Sequence, residues 1–259
     1  ILRLISKIFP FEFYFFIEKI LFSKTIYDEY FKKINPDLVL VGAPGTSFGK
    51  EIDLIIASKK HQIKIMAVGM SWDHFSAKYK LIRTVDRLIV WNEIMKNDAK
   101  KRSGIDSKNI LVGGIPHFKY YQQESSYLTK DEYFNKMSLD SNKKLILVIV
   151  EIKRIFKYYD IIIDQILDAS SKGEFLSDCQ ILVRLHPYND FNYIEKYKDI
   201  DNIIVEWPYK STVYEDNLHL QVDLFKDDQI HLINTLKHAD VIVGTTSTIS
   251  LEACVVDTP

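Results

Sequence analysis

One histidine, four consecutive hydroxyl residues and one carboxylate carry most of the chemistry this sequence offers. Thr245, Thr246, Ser247 and Thr248 stand in a row, Glu252 follows four positions later, and His186 lies about sixty residues upstream in Arg-Leu-His-Pro. Hydroxyls and unpaired backbone N–H groups at a helix start hold an anion such as phosphate. An imidazole adds a donor that gains a proton near neutral pH. A carboxylate one turn into the helix could accept from the vicinal hydroxyls of a sugar or ribose. The same residues also fit a plainer arrangement, with Ser and Thr capping a helix, a solvated Glu252 and a structural histidine.

The elements that must position these groups are legible around them. Asp240 to Val243 is a short apolar run, Gly244 to Thr248 a hydroxyl-rich turn, and Ile249 to Val256 a helix; together they read as strand, loop and helix N-terminus. Cys179 to Leu185 is a second buried-strand pattern that delivers His186 and Pro187 at its carboxyl end. In open α/β sheets ligands sit beyond the carboxyl ends of strands, so both loops face the place where an anion would bind. Lys153 and Arg154 follow a third apolar run, Leu145 to Val150. They fit either the same phosphates or a charged surface.

This order of strand, RLHP, strand, TTST and helical Glu resembles the nucleotide-binding half of GT-B glycosyltransferases. It is most similar to the bacterial surface-polysaccharide branch, which includes CDP-glycerol glycerophosphotransferases and capsule sialyl- and Kdo-transferases. The resemblance implies that His186, Thr246 and Ser247, flanked by Thr245 and Thr248, hold a donor phosphate. It likewise gives Glu252 the role of the ribose-binding glutamate found in GT-B enzymes and in non-hydrolysing sugar-nucleotide 2-epimerases. In the first half, Ser71-Trp72-Asp73-His74-Phe75 resembles an SWDN-like motif of surface-polysaccharide glycosyltransferases, with His74 where Asn is expected. A strand ending in Trp91-Asn92-Glu93, a Lys-rich helix and a strand ending in Val112-Gly113-Gly114-Ile115-Pro116 follow in the same order. The resemblance spans residues 36–259.

Strands near 37–41, 63–68, 86–91 and 109–113 alternate with helical segments near 49–60, 76–83 and 92–104, the rhythm of a parallel sheet covered by helices. Further strands near 145–150, 180–185, 202–206 and 240–243 alternate with helices near 159–170, 191–197 and 229–237. The fold expected is α/β: two Rossmann-like parallel-sheet domains facing a cleft, GT-B-like, the second cut short near Pro259. Residues 1–135 are expected to form the acceptor-side domain and 136–259 the nucleotide-donor domain. The polar stretch Lys119 to Lys144 reads as their connection.

With 259 residues, 47% hydrophobic and 13% aromatic, the chain has ample material for two packed cores, which excludes a disordered protein. Its net charge of −1 conceals an asymmetry: residues 1–135 hold 21 Lys/Arg against 15 Asp/Glu, and residues 136–259 hold 13 against 20. A basic first half suits either an anionic lipid surface or a solvated lysine face. The near-neutral total argues against nucleic acid. Ile8 to Phe22, rich in aromatics but interrupted by Glu12, Glu18 and Lys19, is too short to span a bilayer. It fits an interfacial helix or a packing surface. Cys179 and Cys254 in apolar contexts suggest buried thiols, hence a cytoplasmic chain with possible peripheral contact at the membrane's inner face.

Sugar or polyol-phosphate transfer from a nucleotide-activated donor to a glycan or lipid-linked acceptor needs a stabilised leaving group and a base. His186 and the hydroxyl loop suit the first requirement, and a protonated His186 would offset the added charge. Asp73 and His74, with His117 next, are the candidate bases from the first domain. No acidic pair, CxxC or HExxH pattern suggests a metal, so cofactor-free and metal-independent chemistry is expected. A non-hydrolysing sugar-nucleotide 2-epimerase would use a similar phosphate loop, although its Gly-Gly-containing loop has no match here. A non-catalytic nucleotide-sugar-binding scaffold is the alternative outside enzymes.

Overall fold

The computed structural model describes residues 27–42, 51–78, 85–102, 105–152, 156–173, 178–186, 191–207, 214–216, 219–221, 226–245 and 247–259. The chain divides into two compact units, Ile1–Ile115 and Pro116–Pro259.

In the first unit, α1 (Asp28–Ile34), β1 (Leu38–Val41), α2 (Glu51–Lys60), β2 (Lys64–Val68), β3 (Arg87–Val90), α3 (Glu93–Arg102) and β4 (Ile110–Val112) succeed one another. The four strands pair in parallel in the order β1-β2-β3-β4. Every described strand therefore lies beside its successor, and the order does not reverse. Val39, Val41, Ile65, Ala67, Leu88 and Val90 bury one contiguous core with Ile55 and Ala57 of α2 and Met95 and Ala99 of α3. The turn Gly113-Gly114 needs both glycines, for different reasons. A Cβ at Gly113 would stand 2.5 Å from Ile89 Cγ2, while Gly114 has φ of +79°, a left-handed conformation that costs other residues energy.

The second unit contains α4 (Lys130–Met137), β5 (Lys144–Ile149), α5 (Tyr159–Ser171), β6 (Cys179–Arg184), β7 (Ile203–Glu206), the hairpin strands β8 (Tyr214–Asp216) and β9 (His219–Gln221), α6 (Lys226–His238), β10 (Val241–Val243) and α7 (Thr248–Val255). Its main sheet is parallel with the order β10-β5-β6-β7. After Lys144, β5 is apolar from Leu145 to Ile149 because both its faces are covered. Leu145, Leu147 and Ile149 pack with Ile233 and Leu236 of α6 and Ala253 of α7. Ile146 and Val148 pack with Tyr159 and Ile163 of α5. The crossovers β5-α5-β6 and β7-α6-β10 thus lie on opposite faces, as right-handed connections require when the strand order turns back. Asp240 helps set that return: its carboxylate accepts from the Leu145 N–H at 2.9 Å and pairs with Lys144 at 2.8 Å.

Three expectations need correction. Residues 119–144 are not a bare connection. The helical piece read at Lys130 to Met137 is present as α4, with a full capping box from Thr129 and Glu132, but Tyr121, Tyr133, Phe134 and Leu139 are buried in the second core, and residues 116–135 belong to the second unit. Their aromatic spacing follows short 3-10 turns at Pro116–Gln122 and Glu124–Ser126, and therefore escapes a search for a 3.6-residue period. The helix expected at 76–83 is, where described, a five-residue π-helical turn, His74–Lys78. Cys254 is exposed and Cys179 half-buried, both as free thiols, because the helix buries neighbouring Ala253 instead. Ile8 to Phe22 lies outside the described residues. Among the described residues no helix is long and apolar enough to cross a membrane.

Candidate functional site at the strand ends of the second unit

The return of β10 to the far side of β5 makes a topological switch point. At such a point loops on opposite faces diverge and leave a crevice beyond the carboxyl ends of the two strands. Several of the groups singled out in the sequence stand at these strand ends. β10 ends in Gly244 and Thr245, β5 leads into buried Glu151, and β6 ends in Arg184 and continues to His186.

Ser247 is the N-cap of α7, with extended backbone (φ −93°, ψ 150°) and a side chain accepting from the Ile249 N–H at 3.3 Å. That bond, with the Ser250 N–H donating to the Ser247 carbonyl at 3.1 Å, satisfies two of the first-turn donors at the positive end of the helix dipole. Thr245 is held from beneath, its Oγ1 lying 3.1 Å from the hydroxyl of Tyr159, a fully buried residue in the first turn of α5. Thr248 opens the helix. Lys153, Arg154 and Thr246 lie outside the described residues.

His186 is half-buried. Burial pushes its imidazole below its ordinary range, and the nearby charge of Glu151 only partly offsets this. Burial thus favours the neutral imidazole in the resting protein.

Glu252 lies one turn inside α7, and its Oε2 accepts from the Tyr121 hydroxyl at 2.5 Å. Burial raises its carboxyl pKa, opposed by the Tyr121 hydrogen bond and the charge of Arg184. Arg184 is buried, at 4% exposure, and ion-paired with Glu206, its cross-strand partner in the β6-β7 register. The other oxygen of Glu206 meets His231 Nε2 at 2.8 Å. Burial would raise the Glu206 carboxyl, but His231 and Arg184 prevail and hold it below the usual carboxylate range. Sequence reasoning missed Arg184, Glu206, His231, Tyr121 and Tyr159. The one local signal was a guanidinium inside the apolar run of β6.

The first-unit candidates are arranged differently. Asp73 is half-buried and accepts from Ser71 Oγ at 2.5 Å. His74 is only 6% exposed, whereas Trp72 is 43% exposed. In this conformation Asp73 and Trp72, more than His74, are accessible to an acceptor. His117 falls in the second unit, on the 3-10 helix Pro116–Gln122; its side chain lies outside the described residues. The Trp-Asn-Glu triplet has a structural role. Trp91 is buried and donates from Nε1 to the Gly69 carbonyl at 2.6 Å, and Asn92 Oδ1 accepts from the Met95 N–H at 2.9 Å to cap α3. Among the described residues no group of three His, Cys, Asp or Glu could hold a metal.

No protein-family model matches the sequence, and no curated protein matches it. Solved structures do. UDP-GlcNAc 2-epimerase from Neisseria meningitidis bound to UDP-GlcNAc is similar with a TM-score of 0.58 and 14% identity, over 90% of this chain and 60% of that one. S. aureus MnaA in a co-structure with UDP gives 0.57 and 16%, over 90% and 58%. UDP-GlcNAc 2-epimerase from Methanocaldococcus jannaschii, in complex with UDP-GlcNAc and UDP, gives 0.55 and 18%, over 90% and 61%. The chain spans about three-fifths of the length of these structures, and what it shares with them is an α/β fold of two Rossmann-type parallel sheets, GT-B-like.

Proposed function

We propose that this chain is the nucleotide-binding part of an enzyme that acts on a nucleotide-activated sugar or polyol phosphate. The observation that carries the reading is the placement of the Ser247-capped helix, His186 and Glu252 about the strand ends at the β5-β10 switch point. The N–H groups and hydroxyls of Thr245 to Thr248 receive the diphosphate, and Glu252 receives the ribose. His186 takes up a proton as charge builds on the leaving group. Arg154, five residues after β5 in the sequence, is a further phosphate donor in this scheme.

The reaction proposed is metal-independent transfer of the sugar or polyol phosphate to a surface polysaccharide or lipid-linked acceptor. Asp73 is the base with the freest approach, and His74 and His117 complete the set. This step rests on the RLHP, TTST and SWDH sequence patterns. It includes the CDP-glycerol branch among the possible donors and places the chain on the cytoplasmic side of the membrane. The second reading, non-hydrolysing epimerisation of a sugar nucleotide, is favoured by the similar structures, which are of UDP-GlcNAc 2-epimerases with UDP-GlcNAc or UDP.

Calorimetric titration of the full chain with CDP, CMP, UDP and GDP tests the binding site. Base-selective binding that is lost in His186→Ala and in Ser247→Ala is the expected result. A folded chain that binds none of them overturns the proposal. The two reactions separate in heavy water. Epimerisation at C2 breaks the C2–H bond and leaves deuterium in recovered UDP-GlcNAc. Transfer releases nucleotide only when an acceptor is present and leaves the unreacted donor unlabelled.

A further inference from the structure

Tyr121 belongs to none of the sequence motifs, yet its hydroxyl donates to the glutamate proposed to bind ribose. The chain enters the second unit on the 3-10 helix Pro116–Gln122. The Tyr127 hydroxyl donates to the Tyr121 carbonyl at 2.7 Å and pins that backbone. The Tyr121 ring packs against Phe118 with centroids 5.3 Å apart, so the side chain is fixed at both ends. Its hydroxyl donates to Glu252 Oε2 at 2.5 Å. Burial, reinforced by the charge of Glu252, pushes the phenol far above its ordinary range, and Tyr121 remains a donor at any pH the fold survives.

An ionised carboxylate has about four acceptor sites on two oxygens. Tyr121 uses one of them and fixes the plane of the group. We propose that Tyr121 is the positioning residue of the nucleotide site, orienting the Glu252 carboxylate so that its remaining acceptor sites meet both hydroxyls of a cis vicinal diol. The inference rests on the reading of Glu252 as the ribose ligand. It makes the ribose selectivity of the site depend on a residue over a hundred positions away in sequence. If the hydroxyl instead occupied the diol's place, Tyr121 would compete with the nucleotide, and its removal would tighten binding.

The test is calorimetric titration of the full chain with UDP, CDP and their 2′-deoxy counterparts, in the wild type, Tyr121→Phe, Glu252→Gln and the double variant, at neutral and acid pH. The wild type is expected to prefer the ribonucleotide by about ten-fold, the scale of a hydrogen bond to a charged group. Tyr121→Phe keeps the ring, and it should lose most of that preference while its affinity for the deoxynucleotide is unchanged. Because the Tyr121 hydrogen bond lowers the Glu252 pKa, its removal moves the acid limb of ribonucleotide binding to higher pH. In the Glu252→Gln background, Tyr121→Phe should have no further effect. Equal losses for ribo- and deoxynucleotides would mark a packing role and overturn the inference, as would unchanged or tighter ribonucleotide binding. A wild type that binds both sugars equally overturns the ribose role of Glu252 together with this inference, but leaves the phosphate loop standing. A wild type that binds neither overturns the nucleotide site as a whole.

Discussion

At the scale of single residues, the site is governed by two titrating groups whose shifts are opposite in consequence. The His186 pKa is lowered by burial, and in the proposed complex a diphosphate would raise it, so that complex would hold more protons than the free protein between the two values. Affinity must therefore rise as pH falls through the bound-state value and level off below the free-state value. Glu252 has a raised pKa, and its protonation would remove the proposed ribose acceptor and so set an acid limit to binding. Titrations in buffers of different ionisation enthalpy should show proton uptake on binding, abolished in His186→Ala. A pH-independent affinity in the wild type would rule out this role for His186. The candidate groups were readable in the sequence because hydroxyls, an imidazole and a carboxylate stood close to recognisable strand ends, which the structure places as β6 and β10. The pairing of Tyr121 with Glu252 and of Arg184 with Glu206 was not readable. Each depends on packing across long sequence separations, and no local period encodes it.

At the scale of elements, α7 and β6 make separate demands. Ser247→Ala removes the helix cap and is expected to cost about 1 kcal/mol, whereas Ser247→Gly costs only a few tenths. Urea unfolding of both variants checks this. If phosphate uses the same hydroxyl, both variants bind nucleotide weakly although only one is destabilised. In the second element, Glu206→Gln leaves Arg184 buried without its charged partner, a loss of about 3–5 kcal/mol. The folded-state pKa of Glu206 is depressed, so its contribution is present above the unfolded carboxyl value and fades as pH falls through the folded value. The difference in urea midpoint between wild type and Glu206→Gln should shrink in acid; a constant difference would mean that the ion pair is not what the substitution removes. Most strands were legible because fully apolar runs ending in glycine or hydroxyl turns have few other uses. The hairpin β8-β9 passed unnoticed because its two three-residue strands are too short to show alternation. The 3-10 turns from Pro116 to Ser126 were hidden among polar residues.

At the scale of the whole molecule, the two units have separate cores, and only the second shows a strand-order reversal among its described strands. Nucleotide binding should therefore slow hydrogen exchange at residues 184–186 and 243–256 first. The β1-β4 sheet should change less. Protection concentrated on the first sheet would place the nucleotide elsewhere. The alternation of strands and helices announced the parallel sheets from the sequence. The boundary at Ile115 was less visible, because the residues after it look like a connection until their aromatic side chains are seen in the second core.

The order β10-β5-β6-β7 also governs when the second unit can become safe in a cell. β5 is among the first strands of this unit to leave the ribosome, yet its neighbour on one side arrives about a hundred residues later, with Val241 pairing to Ile146. Until then, five consecutive buried residues of β5 lie along an open edge, the arrangement most prone to joining another chain. Chaperone dependence should thus be concentrated in the interval before β10 docks, and a chain shortened before Val241 should aggregate rather than merely fail to bind. The strand that makes the switch point is also the one that covers the open edge of β5, so a nucleotide site of the kind proposed would form only after that edge is protected.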